Sequence, residues 1–281
     1  MTTTTDTTVA NPLVQRVRIP GRRFKIPSGG VFYKDGELSD DVKDGELTIL
    51  PMTMVDELVL KTPDKLLNGD GAIEVINRCV PQILKPWQIM SKDIDFIMIC
   101  LRIVSYGEQL EIEHTHETCS HTVEKENGEL VRVPRQYKIN VSDMVNKCTR
   151  IDPTTINQVF SHELKTGDVV QRVRFQPMTF RNFIDVMQAQ VFDDDSVDPE
   201  KEADSIIQSL AYVIESVDEI SDHDMIIGWL KAMAPMQLNE LNDRLLETLQ
   251  WGPNMNATVK CVDCGENMEL AVPLDPLLFF S

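Results

Sequence analysis

The sequence predicts an α+β fold: a helical core edged by small β-hairpins, built from two similar halves and closed by a two-knuckle staple. Three observations carry that prediction. Residues 94–104 are apolar almost without a break, so the helix they form belongs in the interior. Short alternating runs, such as Leu110-Glu111-Ile112-Glu113 and Tyr137-Lys138-Ile139-Asn140-Val141, read as half-buried strands. Two turns far apart in sequence, His116-Glu117-Thr118-Cys119 and Cys261-Val262-Asp263-Cys264-Gly265, each offer two soft or borderline metal donors.

In chain order, the Thr-rich opening has too little apolar content to build a core. Five basic residues without an acid follow: Arg16, Arg18, Arg22, Arg23 and Lys25. Residues 1–26 are therefore expected to form an extended arm that rests on another protein surface, its arginines facing carboxylates there. Residues 24–27, 31–33 and 46–50 read as short strands joined by the Ser28-Gly29-Gly30 turn and an acidic loop. Pro51-Met52-Thr53 starts a helix over 55–60. Thr62-Pro63-Asp64 starts the next, with a hydroxyl cap, a proline in the first turn and an acid at the positive end of the helix dipole. Asn68-Gly69-Asp70-Gly71 interrupts it, and Pro81 ends the apolar helix 72–80. Ser91 is placed to cap the buried helix 92–106, and Gly107 to stop it. Strand 110–113 delivers the first knuckle, Asn127-Gly128 marks a hairpin turn, and strand 137–141 follows.

That order recurs. Strand 170–175 leads into Pro177-Met178-Thr179 and a helix over 180–190, and Asp198-Pro199-Glu200 starts another helix. Ser221-Asp222-His223-Asp224 supplies capping side chains for an apolar helix that parallels 95–102. Helix 237–250 stops at Gly252-Pro253, strand 257–260 delivers the second knuckle, and residues 269–274 leave it. The recurrence predicts an internal duplication, with halves at 27–148 and 149–281. Leu277-Leu278-Phe279-Phe280 is too apolar to stand in water and should plug its own core or dock on a neighbour.

Together the knuckles supply His116, Cys119, Cys261 and Cys264. Four N and S donors in a two-plus-two arrangement suit tetrahedral zinc in a closed, structural site. His114 and His121 flank the first knuckle and are alternative ligands to His116. Free thiols or a disulfide at Cys261 and Cys264 form the competing, metal-free reading. Catalytic motifs are not met. After His116-Glu117 a zincin needs a histidine where Ser120 stands, and a histidine-aspartate hydrolase pattern through His114 and His116 finds Thr118 where the carboxylate belongs. No phosphate-binding glycine motif and no GxSxG are present.

The 281 residues are enough to bury a sizeable core. A formal charge of −18 repels phosphate backbones and argues against nucleic-acid binding. No apolar stretch reaches the roughly 20 residues that a membrane helix needs. The N-terminus lacks the basic flank and apolar segment of a signal peptide, so a cytosolic chain is expected. There Cys79, Cys100 and Cys148 act as small core hydrophobes, and Cys119, Cys261 and Cys264 remain for metal.

Several long stretches carry a family likeness. GGVFY, LKTPDKLLNGDGAIEVINRCVPQI, DIDFIMICLRIVSYGEQLEIE and the terminal VKCVDCGENMELAVPLDPLLFF resemble the baseplate hub and hub-assembly proteins of T-even-type contractile-tailed bacteriophages. The likeness runs from about Pro27 onward and is strongest over 51–113 and the last 25 residues. Family members usually carry CPxC where this chain has His116-Glu117-Thr118-Cys119, so one thiolate is replaced by imidazole. The resemblance implies a non-enzymatic virion protein of the tail baseplate hub, assembled in the host cytoplasm. Its implied partners are other hub and tail proteins and further copies of itself. The runner-up is an assembly chaperone absent from the finished particle, and the third reading is a metallohydrolase using residues 114–121.

Overall fold

The structure, a computed structural model, describes residues 19–119, 121–124, 129–191 and 199–280. Strand β1 (Arg22–Lys25) pairs antiparallel with β2 (Glu46–Ile49), whose Leu47 and Ile49 alternate inward. Arg22 and Arg23 face Glu108 and Glu46 of the same chain, at 3.7 and 3.6 Å, which corrects the expectation that they reach for a partner. Arg16 and Arg18 lie outside the described residues. The expected strand at 31–33 is a turn instead. Ser28 N–H and Tyr33 Oη–H donate to the two oxygens of Asp93, at 3.0 and 2.8 Å, so both ends of the turn bind one buried carboxylate. Burial pushes that carboxyl up to about 6, against the bonds from Ser28 and Tyr33.

Helix α1 (Met54–Leu60) begins as the sequence predicts: Thr53 Oγ1 accepts from Asp56 N–H while the Asp56 carboxylate accepts from Thr53 N–H. Helix α2 (Pro63–Leu67) has its proline in the first turn, but the Thr62 hydroxyl donates back to Leu58 O and caps nothing. Helix α3 (Asp70–Cys79) starts after Gly69 at φ +77°, a left-handed conformation that favours glycine. Helix α4 (Ser91–Tyr106) is the buried helix, with ten residues inside, and ends at Gly107 with φ +88°. Ser91 is its first residue rather than its cap. Its N–H donates to Met178 O, and Phe180 N–H donates to Ile89 O, so a long-range bridge holds this helix start.

Strands β3 (Gln109–His114) and β6 (Arg135–Asn140) form one hairpin, and between them β4 (Val123–Glu124) pairs with β5 (Leu130–Val131). The Asn127-Gly128 turn lies outside the described residues. Short helices α5 (Ser142–Asn146) and α6 (Ile156–Val159) lead to a three-stranded antiparallel sheet in the order β7 (Ser161–Thr166), β8 (Val169–Phe175), β9 (Ile214–Val217). Neither β7 nor β9 is expected from the sequence. Inserted before β9 are α7 (Phe180–Val191) and α8 (Pro199–Val213). Helix α9 (His223–Lys231) is capped by Asp222, whose carboxylate accepts from Met225 N–H, and α10 (Pro235–Thr248) follows. The chain closes with the hairpin β10 (Asn256–Lys260) and β11 (Asn267–Ala271), then α11 (Pro276–Phe279).

This is an α+β architecture with three apolar clusters. The largest surrounds α4 and takes in Ile26, Leu47, Ile76, Val272, Phe279 and Phe280. The apolar end at 279–280 therefore fills the chain's own core. A second cluster joins the three-stranded sheet to α8, α9 and α10 through Val173, Leu210, Ile226 and Leu241. The third is small and encloses the knuckles. Cys79 and Cys100 are buried in the first cluster and Cys148 packs partly against it. Burial raises all three thiols, Cys79 to about 12 and Cys148 to about 11, which keeps them protonated and inert. Among the described residues no helix is long and apolar enough to cross a membrane.

Candidate metal centre

Two hairpins deliver the ligands. In the first, β3 and β6 are in register down to His114 opposite Arg135, and the chain leaves that end into the first knuckle. There Cys119 N–H donates to His116 O at 3.1 Å, which curls the two donors onto one side. In the second, Lys260 pairs with Asn267, and the turn between them closes through Gly265 N–H to Cys261 O and Cys261 N–H to Glu266 O, both 2.9 Å. Gly265 sits at φ +77° with open space around it, so the turn needs glycine for its backbone conformation and not for room.

The turns bring His116, Cys119, Cys261 and Cys264 together, with one ligand atom from each within 4.8 Å of all the others. Cys119 and Cys261 are 4% and 3% exposed; His116 and Cys264 form the half-buried side. His114 and His121 are not members of the group. The spacing suits a single ion. With Zn–S bonds of about 2.3 Å and Zn–N of about 2.0–2.1 Å, a tetrahedron sets two sulfurs about 3.8 Å apart and sulfur and nitrogen about 3.6 Å apart. Cys119 Sγ and Cys261 Sγ are 3.8 Å apart, and Cys264 Sγ lies 3.5 Å from His116 Nδ1.

Neighbouring groups fix the donors. His116 Nε2 lies 2.8 Å from Thr118 Oγ1; when Nδ1 faces the ion, Nε2–H donates to that hydroxyl and sets the tautomer. The backbone N–H of Cys264, helped by that of Asp263, favours the Cys261 thiolate against desolvation and pulls its thiol below the ordinary value. At Cys264 the Glu266 N–H acts in the same sense, but burial and the adjacent thiols of Cys261 and Cys119 prevail and hold its proton on. Three sulfurs this close repel as thiolates, and a dication removes that repulsion. The donor set fits zinc.

Residues that sequence reasoning did not single out complete the centre. Tyr137 Oη–H donates to Cys261 Sγ at 3.8 Å from the inward face of β6. The Arg135 guanidinium makes two bonds to Asp263, at 2.9 and 3.0 Å, clasping the end of β6 to the second knuckle. Arg132 Nε–H donates to Cys119 O at 3.1 Å. The alternation in 135–140 is the signal that places Tyr137 inward; nothing in the sequence pairs Arg135 with Asp263.

A family profile described as T4 bacteriophage base plate protein matches residues 35–281. No curated protein and no solved structure gave a significant match. The matched span contains α4, both hairpins and all four residues of the cluster. The chain belongs to the T4 bacteriophage base plate protein family.

Proposed function

We propose that the chain is a non-enzymatic structural or assembly protein of the baseplate hub, stapled by one zinc ion on His116, Cys119, Cys261 and Cys264. The observation that carries the zinc assignment is the convergence of three sulfurs and one nitrogen from two separate hairpins within 4.8 Å of one another, two of the pairs at the separations a tetrahedral zinc requires. Four protein ligands fill the coordination of zinc and leave no position for water or substrate, so the ion acts as a cross-link. Family membership supports contacts with other baseplate and tail proteins, with further copies of the chain among them, in host cytoplasm during assembly and in the virion afterwards.

The staple is also the meeting point of two related halves, 27–148 and 149–281. Each contains a strand, a Pro-Met-Thr segment and a helix, with equal spacing: β2 ends at Ile49 and α1 begins at Met54, while β8 ends at Phe175 and α7 begins at Phe180. Thr53 Oγ1 accepts from Asp56 N–H, and Thr179 Oγ1 accepts from Asn182 N–H three residues on in the same way. Each half then ends in a hairpin that carries one knuckle, as in a zinc ribbon. These parallels support duplication.

Quantitative mass spectrometry of purified tails, with metal analysis of the purified protein, tests the proposal. The expected result is the chain present in tails at the hub and one zinc per chain. A chain confined to assembly precursors would identify the chaperone instead, and a metal-free protein with the same melting temperature would remove the staple.

A further inference from the structure

Cys119 and Cys261 form the inner side of the four-residue cluster, 4% and 3% exposed, and their Sγ atoms lie 3.8 Å apart. Cys264 lies to the half-buried side, its Sγ 3.5 Å from His116 Nδ1 and 4.0 Å from a Glu266 carboxylate oxygen. The two inner sulfurs come from different knuckles, 142 residues apart in sequence. A disulfide sets its sulfurs about 2.05 Å apart, so this pair has only about 1.8 Å to close. A bond between them ties the two hairpins at the same place as the ion. Cys79, Cys100 and Cys148 belong to the core around α4 and do not compete.

The rival pairing is Cys261 with Cys264, inside the second knuckle. It closes a loop of a few residues, which constrains the unfolded chain little and joins nothing to the first hairpin. A bond from Cys119 to Cys261 closes a loop spanning 142 residues, and stabilisation by a cross-link grows with loop length. The disulfide that stabilises the fold more is also the one the fold favours at equilibrium. Zinc thiolates suit a reducing cytoplasm, whereas disulfides persist in the oxidising surroundings outside a cell.

We infer that Cys119 and Cys261 are a disulfide site, oxidised by exchange with a small-molecule disulfide, so that a covalent bond takes over the cross-link from the metal. The inference rests on the staple and the virion location proposed above and assigns the staple a second, oxidised form. Cys264 is the point of entry. Its thiolate attacks one sulfur of the incoming disulfide, that S–S bond breaks and one small thiolate leaves. Cys261 then attacks Cys264 Sγ and the second small thiolate leaves. Finally Cys119 attacks Cys261 Sγ and Cys264 departs as a thiolate. Overall two cysteine thiolates give up two electrons, and the small disulfide takes them to become two thiolates. His116 and Cys264 then remain as ligands, two where four held the ion.

The test uses the purified wild-type chain, its metal content measured first, incubated with oxidised glutathione and then blocked with a thiol alkylator. Zinc release is read with a chelating dye, the linkage by peptide mapping without reductant, and compaction of the denatured chain by its mobility in a non-reducing gel. The expected result is one zinc released per disulfide formed, a bond joining Cys119 to Cys261, and a faster band that Cys119→Ser does not give. The oxidised protein is expected to melt above reduced protein stripped by chelator. A bond between Cys261 and Cys264, a bond from Cys119 to Cys264, or intact thiols with zinc retained would each overturn the site. Oxidised protein that melts like the stripped, reduced form would overturn the transfer of the cross-link. Wild-type protein isolated without zinc would overturn the metal staple instead, and the peptide map would still decide the disulfide.

Discussion

Among the described residues, 28 buried apolar side chains form the cluster in and around α4; the cluster at the paired knuckles has five, two of them cysteines. At about 1.5–3 kcal/mol per buried side chain, the first region gains several tens of kcal/mol and the second on the order of 10. Fixing the nine backbone residues of the two knuckles costs about 10–20 kcal/mol by itself. The first region is held by burial spread over many side chains, whereas the second buries few and is where a bound metal would weigh most. The molecule thus joins distant parts of its sequence by two kinds of physics, one diffuse and tolerant, the other concentrated in four atoms.

The largest test of that contrast is removal of the metal, by chelation or by Cys261→Ser. Structural zinc supplies roughly 10–16 kcal/mol of apparent binding energy in isolated zinc fingers, so the hairpin ends should open fully. Hydrogen exchange is expected to show fast amides in β10, β11 and the knuckle end of β3 and β6, with α4 still protected. Equal loss of protection in α4 would mean that the regions are one cooperative unit. The reciprocal experiment is Phe96→Ala, which empties a site with no exposure at the middle of α4. A loss of about 3–5 kcal/mol by denaturant titration is expected, with metal content per folded chain unchanged.

A third test separates the regions by pH. In the fold Asp93 is raised to about 6, while in the unfolded chain it has the ordinary value near 3.9. Its contribution to stability is therefore complete below about pH 4 and is lost as pH rises through about 6, by roughly 3 kcal/mol. Asp93→Asn should flatten that decline in unfolding curves taken from pH 4 to 7, leaving a smaller slope from Asp95, which burial also raises. An unchanged slope would exclude Asp93 as its source. The smallest effect is expected from Thr118→Val, which takes the partner from His116 Nε2. Competition with a chelating dye should show metal affinity lowered about 10- to 100-fold, with unfolding of the helical core unaltered.

Much of this was legible because its causes are local. The apolar run at 94–104 has no face to show water, and the pairs at 116–119 and 261–264 place donors at knuckle spacing whatever surrounds them. What escaped the sequence depends on contacts between distant residues. Ser91 has the chemistry of a cap, yet its N–H is already held by Met178 O, and the chain enters α4 through that bridge. Residues 31–33 have strand propensity, but Ser28 and Tyr33 converge on Asp93, 65 and 60 residues away, and bend the segment into a turn. Strands β7 and β9 gain their identity from pairing with β8, and their own sequences alternate too weakly to announce it.

The core around α4 draws on Ile26 near one end of the described chain and on Val272, Phe279 and Phe280 near the other. A ribosome delivers Val272, Phe279 and Phe280 long after α4, and Cys261 and Cys264 only a little before them. During synthesis the helix that will be most deeply buried must wait with part of its wall missing, which is the stage at which exposed apolar surface invites misassociation. Closing that wall and completing the four-ligand cluster both wait for the same stretch, residues 261–280. An α4 not yet joined by residues 261–280 lacks both, so its apolar side is covered only when that stretch folds back onto it.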